Sequence, residues 1–371
     1  MVNFIVNPWE VTGDIDYDYL MKQFGITPLQ ELQLPSVFKD NFLFRRGIVY
    51  GHRDFDKFLT ALKEKKKLVM MTGLMPSGKF HIGHALLVEQ MKFYQSLGAK
   101  LYIAVADVEA YNTRNADLSE LRRVAIEEYL VNYVALGLDL KKCDVYFQSQ
   151  RSSEGKKSNA YYSLASFASR HVTFNEVKAI YGDITPAKLS SSLLQTADML
   201  HPQLPEFEGP VNVVVPAGSD QDPHIKLCRD IAQRLKLFNL LPLSSTYHVF
   251  LPGLKGGKMS SSDPSSHIAL TETPQEAATK IRKYAFSGGQ ATLEEHRKKG
   301  GNPDIDISFQ YLRMYFEHDD KKLRKIYDDY KSGALLTGEL KQIAIDKVSL
   351  FLAQHAKNRE KARKTIDKMF A

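Results

Sequence analysis

Between residues 67 and 235, short apolar runs alternate with amphipathic stretches, and this alternation restricts the possible folds more than any other feature. "KLVMM" precedes a helical pattern over 81–97, and "KLYIAVADV" (100–108) precedes another over 117–136. "CDVYFQS" (143–149) reads as a further strand, and "PVNVVVPAG" (210–218) as one more, followed by a helix over 222–235. Val/Ile-rich strands separated by helices belong to parallel sheets buried on both faces. The pattern predicts an α/β fold built on a doubly wound parallel sheet, which binds ligands at the carboxyl ends of its strands.

The flanking segments have a different character. "NPWEVTGDIDYDYL" has turn punctuation at Asn7-Pro8 and Gly13-Asp14, compatible with a hairpin and then a short helix, and it holds Trp9, the only tryptophan. After Pro274 the strands stop, and glycine-punctuated helical patterns run to 370. The expected organisation is an N-terminal module at 1–65, an α/β domain at 66–272 with a helical insertion at about 150–209, and a helical domain at 273–371.

Composition narrows the function classes. At 371 residues with 43% hydrophobic and 25% charged side chains, the chain is long enough for a substantial core. No apolar stretch approaches a membrane span, and "MVNFIVNPWE" lacks the basic start and apolar run of a signal peptide. Cys143 and Cys228 are far apart and lack metal-ligand spacing, which points to a reducing cytoplasm and no protein-held metal. The net charge is +7, and residues 271–371 hold 20 Lys and Arg against 15 Asp and Glu, densest in "KKLRK" (321–325) and "KNREKARK" (357–364). Such basic helical surface is the footprint of a nucleic-acid partner, and equally that of solvated charged helices.

Two segments carry candidate chemistry. In "PSGKFHIGHALL", a Gly/Pro/Ser loop leads from the first core strand to a helix N-terminus bearing His81, Gly83 and His84. Exposed amides and the helix dipole attract anions, two imidazoles add donors, and Gly83 has no side chain to keep a flat base off the helix backbone. Taken alone, the motif also fits two surface histidines on an ordinary helix. In "GGKMSSSDPSS" (256–266), Lys258 supplies a point charge for phosphate oxygens, and Ser260, Ser261 and Ser262 supply hydroxyl donors on a mobile polar loop. Taken alone, this could be a surface loop.

Together, at opposite ends of one α/β domain, the two motifs resemble those of class I aminoacyl-tRNA synthetases. Within that class the chain is most similar to the tryptophanyl-tRNA synthetase family of archaeal and eukaryotic type, over nearly its whole length. The likeness includes "FLFRRGIVYGHRD", "HVTFNEVKAIYG", "AGSDQDP", "AFSGGQATLEEHRKKGGNPDIDISFQYL" and "GALLTGELK". The resemblance implies a Rossmann-like core that joins L-tryptophan to ATP and then to tRNA(Trp). It implies His81 and His84 on the ATP phosphates, with Pro76, Ser77, Gly83 and Met259 beside the nucleotide. Lys258 would meet the α-phosphate or departing pyrophosphate, with Ser260, Ser261 and Ser262 steadying the latter. Gly218 and Asp220 match the segment that holds the ribose, while Glu109, Gln195 and Gln221 would surround the α-amino group. An alternative for Asp220 and Gln221 is a turn that caps the following helix. The family further implies Mg²⁺ arriving with ATP, a helical tail that approaches the anticodon, and a homodimer.

The chain departs from the eukaryotic pattern where the amino-acid side chain would sit. Met71 and Ala104 stand where those relatives use tyrosine and glutamine for the indole nitrogen, and Leu74 replaces an arginine. The indole N–H then needs another acceptor. Asp198 is three residues after Gln195 in "LLQTADML", hence on the same helical face, and is similar to an aspartate of the bacterial tryptophanyl enzymes. It could also be an ordinary acid on a helix surface. Archaeal tyrosyl-tRNA synthetases share "PSGKFHIGH", "LLQTAD" and "KMSSS", so tyrosine is the alternative substrate. The loss of a hydroxyl partner at Met71 favours tryptophan. A small nucleotidylyltransferase would lack the second motif and the basic tail, and a non-catalytic RNA-binding relative would be expected to lose His81, His84 or Lys258.

Overall fold

The four apolar runs between residues 67 and 218 each become a strand. The structure, a computed structural model, describes residues 5–6, 11–12, 15–114, 116–257, 259 and 263–370. Strands β1 (Ile5–Val6) and β2 (Val11–Thr12) pair as an antiparallel hairpin. The main sheet contains β3 (Thr27–Pro28), β4 (Val49–Arg53), β5 (Leu68–Leu74), β6 (Lys100–Val105), β7 (Cys143–Phe147), β8 (Asn212–Gly218) and β9 (Ser244–His248). Their spatial order is β3-β4-β9-β8-β5-β6-β7.

Strands β5 to β9 are mutually parallel, as the alternation predicts. Two features differ from the sequence expectation. Strands β3 and β4, which come from the first 65 residues, join the same sheet antiparallel. Strand β9, "SSTYH", has no apolar run to reveal it. Its buried hydroxyls are satisfied instead: Ser244 Oγ donates to the Asp54 carbonyl (2.7 Å), Ser245 Oγ to Tyr247 Oη (2.9 Å), and Thr246 Oγ1 lies 3.3 Å from Tyr94 Oη.

The helices follow their local signals. Ile82–Ser96 leaves β5 through Gly78, whose φ of 66° suits glycine. The stretch expected as one helix over 117–136 is Leu118–Val124 and Val131–Ala135 joined by a π-helical turn, Ala125–Leu130. The insertion contributes Gly155–Ala168, Phe174–Tyr181 and Pro186–Leu200. Phe174–Tyr181 starts with a Thr173/Glu176 capping box, while Pro186–Leu200 has proline in its first turn and a Thr185 cap on the Lys188 amide (3.2 Å). The C-terminal part is built of helices joined by loops, including Pro274–Tyr284, Asp320–Ser332 and the long Thr337–Phe370. Among the described residues, no helix is long and apolar enough to cross a membrane.

The chain divides into two compact units. One comprises residues 1–77, 90–129 and 137–249 and contains the whole main sheet; the other comprises 78–89, 130–136 and 250–371. In the sheet unit, β5 and β8 are neighbours at which the strand order reverses, the place where such sheets bind ligands. The residues that follow these two strands are therefore the first to consider.

Candidate active site

In the sheet unit, Met71 of β5 and Ala104 of β6 are buried in one apolar cluster with Tyr146 of β7 and Tyr161. Asp198 lies against this cluster on the helix Pro186–Leu200 and is buried, not a surface acid. Tyr146 Oη and Tyr161 Oη each donate to Asp198 Oδ1 at 2.7 Å, and Gln148 Nε2 donates to Oδ2 at 2.7 Å. Burial pushes the Asp198 carboxyl up to about 6, against the opposing pull of these three donors and the Arg151 charge. Arg151 itself forks onto Asp144 (3.1 and 2.9 Å) and donates to His201 (2.9 Å), with its guanidinium 4.0 Å from the Tyr146 ring centre.

Glu109 sits in the first turn of the helix Asp107–Thr113. That helix is tied to the end of β7: Ser149 donates its amide (3.0 Å) and its hydroxyl to Asp107, and the Glu109 amide donates to Gln148 Oε1 (3.1 Å). Burial, reinforced by the nearby Asp198 charge, pushes the Glu109 carboxyl up to about 7. Gln195, one helical turn before Asp198, is half-buried and makes no side-chain hydrogen bond among the described residues. A half-buried carboxylate and a half-buried amide are an acceptor set suited to an ammonium group.

The turn leaving β8 holds Gly218, Asp220 and Gln221. It forms a 3₁₀ turn, Ser219–Gln221, followed directly by the helix Asp222–Arg234. Gln221 occupies the N-cap position but makes no side-chain cap bond; its Nε2 donates to Asp220 Oδ2 at 3.3 Å. The Gln221 side chain therefore does not cap the helix that follows. Below the turn, Asp222 is gripped by Arg53 of β4 through two bonds (2.6 and 2.9 Å). In the loop leaving β5, Pro76 is buried and the Ser77 carbonyl accepts from Tyr129 Oη (2.7 Å).

The histidine motif belongs to the second unit and is braced there. His81 forms an antiparallel bridge with Ala269; the Ile82 amide donates to the Ile268 carbonyl (3.1 Å), and the Leu270 amide to the Phe80 carbonyl (2.9 Å). The His81 amide donates to His84 Nδ1 (3.1 Å), and the two rings lie 3.8 Å apart. In a neutral ring this places the proton of His84 on Nε2, making that atom a donor. A Cβ added to Gly83 would come within 3.0 Å of His81 Cε1 and 3.3 Å of Met259 Sδ. The face of Gly83 is therefore covered by these two side chains, and a flat base laid there would have to take the place of Met259.

The stem of the second motif is well defined. The Leu254 amide donates to the Ser266 carbonyl (2.8 Å) and the Gly253 amide to the Gly257 carbonyl (2.8 Å). Consecutive positive φ values at Gly256 (86°) and Gly257 (68°) explain the glycine pair. Lys258, Ser260, Ser261 and Ser262 lie outside the described residues. Among the described residues, no group of three or more His, Cys, Asp or Glu could hold a metal ion.

Tyr146, Gln148, Tyr161 and Arg53 were not singled out by sequence reasoning. Tyr146 lies in the apolar run of β7 and Gln148 in the turn that directly follows it, so both had a weak signal. Tyr161 and Arg53 had none, because only the fold brings them to their partners.

Comparison with known proteins gives a consistent picture. The family model for class I tRNA synthetases (W and Y) matches residues 63–353. A tryptophan–tRNA ligase of Aeropyrum pernix is 45% identical over 363 residues, covering 96% of this chain and 95% of the relative. One from Hyperthermus butylicus is 42% identical over 374 residues, covering 99% and 98%. The crystal structure of the tryptophanyl-tRNA synthetase of Aeropyrum pernix superposes with a TM-score of 0.89 at 43% identity, covering 98% of each chain.

Proposed function

The chain belongs to the class I tRNA synthetases (W and Y), and from that membership we propose that it is a tryptophan–tRNA ligase. It activates L-tryptophan with ATP to tryptophanyl-adenylate and pyrophosphate, then transfers the tryptophanyl group to the terminal ribose hydroxyl of tRNA(Trp). The observation that carries the choice of amino acid is the near full-length likeness to tryptophan–tRNA ligases. Met71 and Ala104, in the apolar cluster that also holds Tyr146 and Tyr161, agree with it, since their side chains offer a phenol no hydrogen-bond partner.

The division of labour follows from chemistry. The tryptophan carboxylate attacks the α-phosphorus and the tRNA hydroxyl later attacks the adenylate carbonyl, so both nucleophiles come from substrates. The protein contributes orientation and charge stabilisation. In our reading Glu109, Gln195 and Gln221 hold the α-ammonium, and Asp198 accepts the indole N–H. Gly218 and Asp220 take the ribose, and Pro76, Ser77, Gly83 and Met259 flank the nucleotide. His81 and His84 contact phosphate oxygens, with Lys258, Ser260, Ser261 and Ser262 countering the charge on the leaving pyrophosphate. The tautomer fixed by the His81 amide supports His84 Nε2 as a donor. Mg²⁺ enters as part of the ATP complex, in keeping with its preference for substrate phosphates. A homodimer and a cytoplasmic location complete the reading; the family resemblance supports the first, and two free thiols agree with the second.

Amino-acid-dependent ATP–pyrophosphate exchange tests this directly, with tryptophan and tyrosine offered separately. Exchange with tryptophan alone is expected. Exchange with tyrosine alone would reverse the reading of Met71 and make Asp198 a hydroxyl partner. No exchange with either would leave a non-catalytic RNA-binding relative.

A further inference from the structure

The side chains around Asp198 form a built site, and three of them have as yet no role in the reaction. Tyr146 Oη and Tyr161 Oη share Oδ1, while Gln148 Nε2 takes Oδ2, each at 2.7 Å. All four residues are buried, Gln148 and Tyr161 completely. An ionised carboxylate offers about four acceptor positions. Three are filled by donors among the described residues, and the fourth belongs to Oδ2.

The donors are neutral dipoles. The nearest guanidinium, that of Arg151, is turned onto Asp144 and His201 and does not bond Asp198. Asp198 is therefore aimed by hydroxyls and an amide with fixed directions, without an ion pair that would occupy its remaining lone pair. Gln148 makes one further contact: its Oε1 accepts the Glu109 amide hydrogen at 3.1 Å. A single amide group thus spans from the helix that bears Glu109 to the carboxylate of Asp198. Met71 and Ala104, in the same buried cluster, supply no competing hydrogen-bond donor.

We propose that Tyr146, Tyr161 and Gln148 are positioning residues for amino-acid selection, which lock the Asp198 carboxylate so that one Oδ2 position meets a single ring N–H of the substrate. In this arrangement Gln148 also sets the spacing between that acceptor and Glu109, and so between the ring nitrogen and the α-ammonium. The proposal rests on the reading of Asp198 as the indole acceptor. An indole N–H is a donor with no acceptor capacity, which suits a position on an acceptor-only carboxylate. A ring without N–H leaves that position unmet, and a buried unmet acceptor is costly.

The test uses the full-length protein in ATP–pyrophosphate exchange with L-tryptophan and with β-(3-benzothienyl)-L-alanine, whose ring sulfur replaces the N–H. The wild-type protein and the variants Asp198→Asn, Tyr146→Phe, Tyr161→Phe and Gln148→Met are compared. Each of the last three removes one donor at nearly constant volume. They are expected to raise KM for tryptophan roughly tenfold while KM for the analogue, KM for ATP and kcat move less than about twofold. The preference for tryptophan then shrinks as it does in Asp198→Asn. Exchange with the analogue serves as the folding control. If the three variants impair both substrates equally, or leave the preference intact, while Asp198→Asn narrows it, the positioning role is overturned and the indole reading stands. If Asp198→Asn itself leaves the preference unchanged, the indole reading fails and the proposal falls with it.

Discussion

The buried Asp198 and the half-buried Glu109 sit above the ordinary carboxylate range near 4, up to about 6 and about 7, chiefly because loss of solvent disfavours their charged forms. Glu109 is affected by Asp198 and Arg114. Asp198 is surrounded by Tyr146, Tyr161, Gln148 and Arg151, and its charge is felt by Cys228 on the adjoining helix Asp222–Arg234. A carboxyl raised in the folded state binds its proton more tightly there than in the unfolded chain. In the ligand-free protein these two groups therefore add stability as pH falls from about 7 towards 4. Tryptophan binding runs in the opposite sense, because its ammonium and its ring N–H both require ionised acceptors. Titration calorimetry should show a Kd that is flat above about pH 8, weakens by about tenfold per pH unit between about 7 and 6, and weakens more steeply below, with the upper limb lost in Glu109→Gln. A constant Kd between about pH 6 and 8 would remove Glu109 from the ammonium site. At this scale the sequence revealed the acids and hid their partners. Gln195 and Asp198 share a helical face by spacing alone, whereas Tyr146 and Gln148 reach Asp198 from the end of β7 and Tyr161 from the helix Gly155–Ala168.

Elements were legible where burial is written in apolar side chains. Strands β5, β6, β7 and β8 are runs of such residues, and capping signals at Thr173, Thr185 and Thr273 mark helix starts. Strands β4 and β9 were not legible, since "VYGHR" and "SSTYH" are polar sequences buried through specific hydrogen bonds. Arg53 shows how such an element is held. Its side chain is 14% exposed and that of its partner Asp222 is 1% exposed, and the guanidinium also donates to the carbonyls of Phe24 (2.5 Å) and Gly25 (2.8 Å) at the end of the helix Tyr17–Phe24. One residue thus ties the N-terminal helix and β4 to the start of the helix Asp222–Arg234, directly after Gln221. Arg53→Met leaves the Asp222 carboxylate buried with Tyr247 Oη and the more distant Lys226 (3.4 Å) as partial compensation. Loss of a buried partner costs about 3–5 kcal/mol in general. With that compensation, denaturant unfolding of Arg53→Met should show a loss of about 3 kcal/mol; a loss below about 1 kcal/mol would mean that water reaches Asp222.

At the scale of the whole chain, the two compact units are interleaved in sequence, which no local pattern announces. Residues 130–136 join the C-terminal unit through contacts more than two hundred positions away. His355 Nε2 lies 2.7 Å from Asn132 Oδ1, and Asn358 donates to the Ala135 carbonyl (3.2 Å). The charge distribution, by contrast, was legible from composition, and several of the tail's ion pairs are solvent-exposed. Arg324–Asp328, Lys325–Asp329 and Lys299–Glu295 are exposed pairs one helical turn apart. Such pairs contribute little and are screened by salt, so they leave Arg324, Lys325 and Lys299 able to meet another anion. If that basic surface contacts tRNA phosphates, binding must release counterions and depend steeply on ionic strength. Tryptophan binding beside buried acids has no such dependence, because buried charges are screened far less than exposed ones. Between about 50 and 200 mM salt, KM for tRNA in aminoacylation should rise at least about tenfold, while KM for tryptophan in pyrophosphate exchange should change less than about twofold. Charge-reversal of Lys321, Lys322 and Lys325 together should flatten the first curve and leave the second unchanged. Equal salt sensitivity of both reactions would place the charge effect in the activation chemistry and leave the basic tail without a part in tRNA binding.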